Sequence, residues 1–231
     1  LFSDLRAAGC REITLAGGMR RPELNPLRFD FKLLRLAPKV LSGLKAGDDR
    51  TLRLVAEVLE AEGLTLRAPH EILADLLAPV GVLGRVTPSP EDRADAARAA
   101  AIVAALGSVD VGQGAVVAQG LCLGAESIQG TDVMLDFVAR TGGPFRPDPA
   151  GARGVLYKGP KPGQDWRVDL PAIGPITLRA AAAAGLAGVA VRAGGALLLG
   201  RAETIAAADE VGLFLWGCEA ELIADFKARL A

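Results

Sequence analysis

Residues 154 to 177 read Gly-Val-Leu-Tyr-Lys-Gly-Pro-Lys-Pro-Gly-Gln-Asp-Trp-Arg-Val-Asp-Leu-Pro-Ala-Ile-Gly-Pro-Ile-Thr. Gly154 to Tyr157 reads as a strand that delivers Lys158 to its carboxyl end, where ligands gather in open α/β sheets. The prolines Pro160, Pro162, Pro171 and Pro175 each fix φ and remove a backbone donor, so no helix runs through. Trp166, Val168 and Leu170 alternate with Asp165, Arg167 and Asp169. That period of two predicts an extended segment with one buried face and an acid–base–acid row on the other. Lysines suit phosphate, and carboxylates suit a divalent metal. The stretch therefore has two readings. It is a metal-assisted site for a phosphate ester or anhydride, or it is a half-buried strand whose charged face neutralises itself.

Working outward, the pattern alternates helices and strands. Thr177 to Ala184 reads as a helix, Gly188 to Val191 as a strand, Ala196 to Leu199 as a short strand, Ala202 to Asp209 as a helix, Leu213 to Trp216 as a strand, and residues 219 to 230 as a final helix. Upstream, Ser89-Pro90-Glu91-Asp92 opens a helix with a cap, a proline at its first position and acids in its first turn. Ala115 to Ala118 and Leu121 to Ala125 read as buried strands. Gly130-Thr131-Asp132 opens another helix, in which Thr131 and Asp132 are either caps or ligands. Near the start, Leu1 to Ala8 reads as a helix, Arg11 to Gly17 as a strand, Asp48 to Glu62 as a helix, Leu64 to Arg67 as a strand and Pro69 to Leu77 as a helix. The expected fold is α/β in two domains. A partial Rossmann-like N-terminal domain spans 1–78, a linker rich in proline and glycine spans 79–90, and a mixed α/β catalytic domain spans 91–231.

Composition narrows the function. A net charge of −1 and 4% aromatic residues give no electrostatic or stacking case for nucleic acid. Apolar residues make up 51% of the 231, which supports a packed core. The three cysteines, Cys10, Cys122 and Cys218, show no metal spacing and are expected to be reduced. No apolar run is long enough to span a bilayer. The basic cluster in residues 20 to 45 reads as a solvated face or as a surface for anions. Motifs for P-loop NTPases, zincins, α/β-hydrolases and intact dinucleotide binders are absent.

Six of the 26 basic residues are lysines, and two of those six are Lys158 and Lys161. A compact ammonium pair suits charge on a leaving phosphate. In a straight strand Asp165 and Asp169 would lie ~13 Å apart, too far to share one ion. The expected metal set is therefore Asp169 with Glu126 or Asp132, holding Mg²⁺ or Mn²⁺ that orients an attacking water. His70, at a helix start, is either structural or part of the site.

Several motifs occur together and in order: Asp110-Val111-Gly112-Gln113-Gly114, Glu126 through Gly130-Thr131-Asp132, Lys158-x-x-Lys161-Pro162-x-Gln164-Asp165-x-Arg167-x-Asp169-x-Pro171, and Ala184 through Gly188. The chain thereby resembles the LpxI-type UDP-2,3-diacylglucosamine pyrophosphatases of lipid A biosynthesis. The resemblance is strongest from about residue 80 to 217, with further matches at Arg21-Pro22, at Gly47-Asp48-Asp49 and at His70-Glu71. It implies a divalent-metal-dependent hydrolase that yields UMP and 2,3-diacylglucosamine 1-phosphate by water attack on the sugar-side phosphorus. It also implies a cytoplasmic homodimer, peripheral to the inner membrane of a Gram-negative bacterium, with substrate between two domains. Asp169 is its essential aspartate, and Gln164, Arg167, Thr131, Gln113 and His70 are expected to bind substrate. Gln129 stands where an acid is common. The Gly-rich strand–loop–helix that opens family members is not found ahead of Leu1, so the chain is expected to be an N-terminally shortened homologue. The alternative is a nucleotide-sugar or acyl-lipid binding α/β protein without chemistry.

Overall fold

The computed structural model describes residues 2–17, 48–220 and 222. The basic cluster of residues 20 to 45 and nearly all of the expected C-terminal helix lie outside them. The described chain forms two units, 1–73 with 164–169, and 74–163 with 170–231.

The first unit holds α1 (Phe2–Ala7), β1 (Glu12–Ile13), α2 (Asp48–Ala61), β2 (Thr65–Leu66) and α3 (Pro69–Ile72). β1 and β2 pair in parallel, Glu12 with Thr65 and Ile13 with Leu66. This is the α/β step that the sequence predicts. Ala56, Leu59, Leu64 and Leu66 form a small core, against which Phe2, Leu5, Ile13 and Val168 pack. The helix expected over residues 69 to 77 stops at Leu73, whose backbone is extended (φ −124°, ψ 90°). A short 3₁₀ turn, Ala74–Leu76, follows. Leu77 bridges to Leu197 and the Ala78 amide donates to the Ala196 carbonyl. Sheet-type hydrogen bonding thus wins over helix continuation, and the chain enters the second unit.

The second unit is built on a six-stranded mixed sheet. Its strands are β3 (Gly81–Val82), β4 (Gly114–Ala118), β5 (Leu121–Ala125), β6 (Val155–Lys158), β8 (Gly188–Arg192) and β10 (Phe214–Cys218), in the order β3-β10-β8-β6-β4-β5. The centre, β6-β8-β10, is parallel, while β3, β4 and β5 run antiparallel to their neighbours. A separate parallel pair joins β7 (Ala172–Ile173) to β9 (Leu197–Leu198). The stretch 79–90, expected as a linker, contains β3, which closes one edge of the sheet. The two compact units divide at 73/74, and residues 164–169 belong with the first.

Alternating residues of the central strands feed two cores. Val116, Leu156, Val189, Val191 and Leu215 pack with Leu135 and Val138 of α5 (Thr131–Thr141), Leu178 and Ala181 of α6 (Pro175–Ala183), and Ala207 and Ala208 of α7 (Arg201–Glu210). On the opposite face, Ala115, Val117, Val155, Tyr157, Ala190 and Phe214 pack with the alanines and Val103 of α4 (Pro90–Gly107). Strands buried on both faces lose polar alternation, as their sequences show. The Ser89 hydroxyl and the Asp92 carboxylate cap α4 reciprocally. Asp95 accepts the Gln119 and Gly120 amides at 2.8 and 2.7 Å, closing the β4–β5 hairpin.

Candidate functional site

Lys158 is the last residue of β6. Register sets it beside Gly114 of β4 and Val191 of β8. Its residue exposure is 5%, and that of Glu126 is 7%. Two charges this deep persist only when paired. Lys158 Nζ donates to Thr131 Oγ1 at 2.7 Å, Thr131 Oγ1 donates to Glu126 Oε2 at 3.1 Å, and the ammonium lies 3.6 Å from that same oxygen. Thr131 opens α5 after Gly130, whose φ of 89° suits glycine. A single hydroxyl thus accepts from the cation and donates to the anion.

The glycines of the 110–114 segment explain how Glu126 fits. A Cβ on Gly114 would lie 2.3 Å from Glu126 Oε2, and one on Gly112 would lie 2.0 Å from the Glu126 carbonyl oxygen. The Glu126 amide donates to the Gly114 carbonyl at 2.8 Å, and the Gly159 amide donates to the Gln113 carbonyl at 3.1 Å. Lys161, 9% exposed, donates to Asp110 Oδ1 at 2.6 Å. Asp110 itself has a left-handed backbone (φ 57°), a region in which aspartate is enriched among non-glycine residues. Segment 110–114 thus holds Lys161 through Asp110 and seats Glu126, the partner of Lys158. The buried Gln113 Oε1 has no hydrogen-bond partner here, which fits an acceptor waiting for a donor.

The expected strand over 165–169 is a turn instead. The amides of Val168 and Asp169 both donate to the Asp165 carbonyl, at 3.1 and 3.2 Å. Residues four apart in a helical turn are neighbours, so the strand-based separation of Asp165 from Asp169 does not hold. The reason is local. Arg167 folds back on Asp165, donating from Nε at 3.0 Å and from NH2 at 2.7 Å, and also reaches Glu60 at 2.7 Å. The guanidinium holds the Asp165 carboxyl below its ordinary value. The charged row is thus partly self-neutralised. Trp166 is exposed, while Val168 packs on the first unit's core. Gln164 Nε2 donates to Asp169 Oδ2.

The expected metal ligands are distributed. Asp169 lies in the first unit, and Glu126 and Asp132 lie in the second. Glu126 is committed to Thr131 and Lys158. Asp132 is exposed on α5. Among the described residues no three His, Cys, Asp or Glu side chains are grouped to hold an ion. His70 sits on α3 of the first unit, with its Nδ1 buried and unbonded. Within the second unit the structure brings together Lys158, Thr131 and Glu126, while segment 110–114 carries Gln113 and the Asp110 that pairs with Lys161. Sequence reasoning missed Asp110 as a partner of Lys161. Its place in the Asp110–Gly114 motif was the available signal.

Two family models match the chain, the LpxI N-terminal domain over residues 1–76 and the LpxI C-terminal domain over residues 79–216. The UDP-2,3-diacylglucosamine pyrophosphatase LpxI of Caulobacter vibrioides is 42% identical over 219 residues, covering 95% of this chain and 78% of that protein.

Proposed function

The chain belongs to the LpxI family, and we propose that it hydrolyses the diphosphate of UDP-2,3-diacylglucosamine to UMP and 2,3-diacylglucosamine 1-phosphate, a step of lipid A biosynthesis. The observation that carries this reading is the pair of buried lysines at the end of β6, each held by a carboxylate or a hydroxyl. Cations fixed in a dry site stabilise charge that develops on transferring phosphoryl groups, and they need no reorganisation as the reaction proceeds. Water oxygen bonds to the sugar-side phosphorus, the bond from that phosphorus to the bridging oxygen breaks, and UMP leaves with that oxygen. The ammonium groups of Lys158 and Lys161 face the charge gathering on the leaving phosphate.

A divalent ion, Mg²⁺ or Mn²⁺, belongs to the proposal. Mg²⁺ commonly takes one or two carboxylates and completes its shell with substrate phosphate and water, so it needs no cage. Asp169 is the proposed protein ligand. The ion would supply charge neutralisation of the diphosphate. The substrate's two acyl chains favour a lipid surface. Among the described residues no helix is long and apolar enough to cross a membrane. We propose that the protein acts on the cytoplasmic side of the inner membrane, as a peripheral homodimer. A Rossmann-like identity for the first unit rests on its parallel β1–β2 step. Incubation with UDP-2,3-diacylglucosamine and Mg²⁺, followed by mass spectrometry, tests the reaction. UMP and the acylated sugar phosphate in equal amounts support it, and intact substrate after prolonged incubation rejects it.

A further inference from the structure

We infer that Glu126, Thr131 and Asp110 are positioning residues that fix the two lysine ammonium groups as a rigid seat for a diphosphate, and that Glu126 is not a metal ligand. The role assigned to the lysines rests on the proposed hydrolysis; the seat itself rests on geometry. Glu126 is buried and its Oε2 receives both the Thr131 hydroxyl and the Lys158 charge. A Mg²⁺ ion on that oxygen would compete with the Lys158 ammonium and the Thr131 hydroxyl for the same charge. Thr131 can donate one proton only, and it goes to Glu126, so its lone pairs face Lys158. The bridge thus fixes the direction in which Lys158 presents its remaining donors. Lys161 donates directly to Asp110. The turn between the two lysines is pinned midway, where the Gly159 amide meets the Gln113 carbonyl. Asp110 and Gln113 belong to segment 110–114, and Glu126 packs on it through the spaces that Gly112 and Gly114 leave open.

Three kinds of role make different predictions. A carboxylate acting only as a charge would repel phosphate, so its removal would tighten anion binding. A metal ligand would set the Mg²⁺ requirement. A positioning residue would, when lost, misplace the ammonium and weaken both anion binding and turnover, with Mg²⁺ dependence unchanged. The experiment compares wild type with Glu126→Gln, Thr131→Val, Thr131→Ser and the Glu126→Gln/Thr131→Val pair. Calorimetry with inorganic pyrophosphate, without metal, reads the seat. Steady-state kinetics at varied Mg²⁺ reads kcat, KM and half-saturating metal.

A misplacement near 1 Å costs about 100-fold in rate, so Glu126→Gln and Thr131→Val should each lower kcat by ~10–100-fold. Both should weaken pyrophosphate binding. Thr131→Ser, which keeps the hydroxyl, should restore both. The double variant should be no worse than the poorer single one, because the two residues act as a unit. Tighter pyrophosphate binding in Glu126→Gln, a raised Mg²⁺ requirement confined to that variant, or multiplied losses in the double variant would each overturn the inference. If wild type shows no hydrolysis but pyrophosphate binding follows the expected pattern, the reaction assignment fails and the seat stands. If wild type hydrolyses substrate but binds no pyrophosphate, the seat fails.

Discussion

Gly114→Ala is the smallest change that should unseat Lys158. The added Cβ would stand 2.3 Å from Glu126 Oε2, more than 1 Å inside the 3.4 Å at which ordinary contact begins. The β4 backbone is held between two strands, so the carboxylate must move. That motion breaks the 3.1 Å bond from Thr131 and separates Oε2 from the Lys158 ammonium. Breaking a buried pair costs ~3–5 kcal/mol, and replacing a strand glycine returns ~0.5–1 kcal/mol. The net loss is then roughly 2–4 kcal/mol, or a fall in Tm of about 5–15 °C for a chain of this size. Turnover should fall with it, since the ammonium no longer has a fixed place. Gly112→Ala should be worse, because its Cβ meets the Glu126 carbonyl oxygen at 2.0 Å and backbone cannot swing aside. Gly143→Ala is the control, with nothing within 4 Å of its Cβ. Melting followed by circular dichroism, with turnover measured on the same samples, checks all three. A Gly114→Ala protein that melts and turns over like wild type would refute the account of how Glu126 is seated.

Asp165→Asn tests the self-neutralised turn. Arg167 depresses the Asp165 carboxyl below its ordinary value of 3.8, so the pair's contribution is fully present above that value. It is lost as pH falls through the lower folded value. The Tm gap between wild type and variant should be open at pH 7 and close at strongly acid pH; a gap independent of pH would contradict the pairing. Gly188→Ala places a Cβ 2.3 to 2.5 Å from the Phe214 ring, and overpacking of this kind costs ~1–3 kcal/mol in urea denaturation. An unchanged urea midpoint would mean that the ring moves freely. Burial pushes the Cys218 thiol up to about 12, while Cys10 and Cys122 are exposed. Thiol titration at pH 8 should find two fast cysteines and a third only after unfolding; three fast thiols would place Cys218 at the surface.

The second unit was largely legible in the sequence. Central strands such as Val155–Lys158 and Gly188–Arg192 are short apolar runs ended by glycine, proline or charge, and capping residues mark α4. Tertiary forces hid the rest. Gly81–Val82 sits in a run of prolines and glycines that reads as a linker, yet an open sheet edge at β10 recruits it. Asp165 to Asp169 alternates like a strand. The Asp165–Arg167 contact, which a strand would place on one face, instead accompanies a turn closed by i to i+4 hydrogen bonding. At the site, the lysines were visible because lysine is scarce in this chain. Their partners were harder to see. Glu126 reads as a ligand by type, and only three-dimensional proximity shows its oxygen shared between Thr131 and Lys158. Asp110 is marked by its motif, but that motif does not name Lys161, 51 residues away, as its partner.

The most direct test of the central claim is the turnover of UDP-2,3-diacylglucosamine by wild type and Lys158→Met, each assayed below its own Tm. Wild type should release UMP and 2,3-diacylglucosamine 1-phosphate in equal amounts. Lys158→Met should be slower by about 100–1,000-fold, the cost of removing one preorganised donor from a charged transition state. A folded Lys158→Met protein with the wild-type rate would contradict the claim that this buried ammonium serves the reaction.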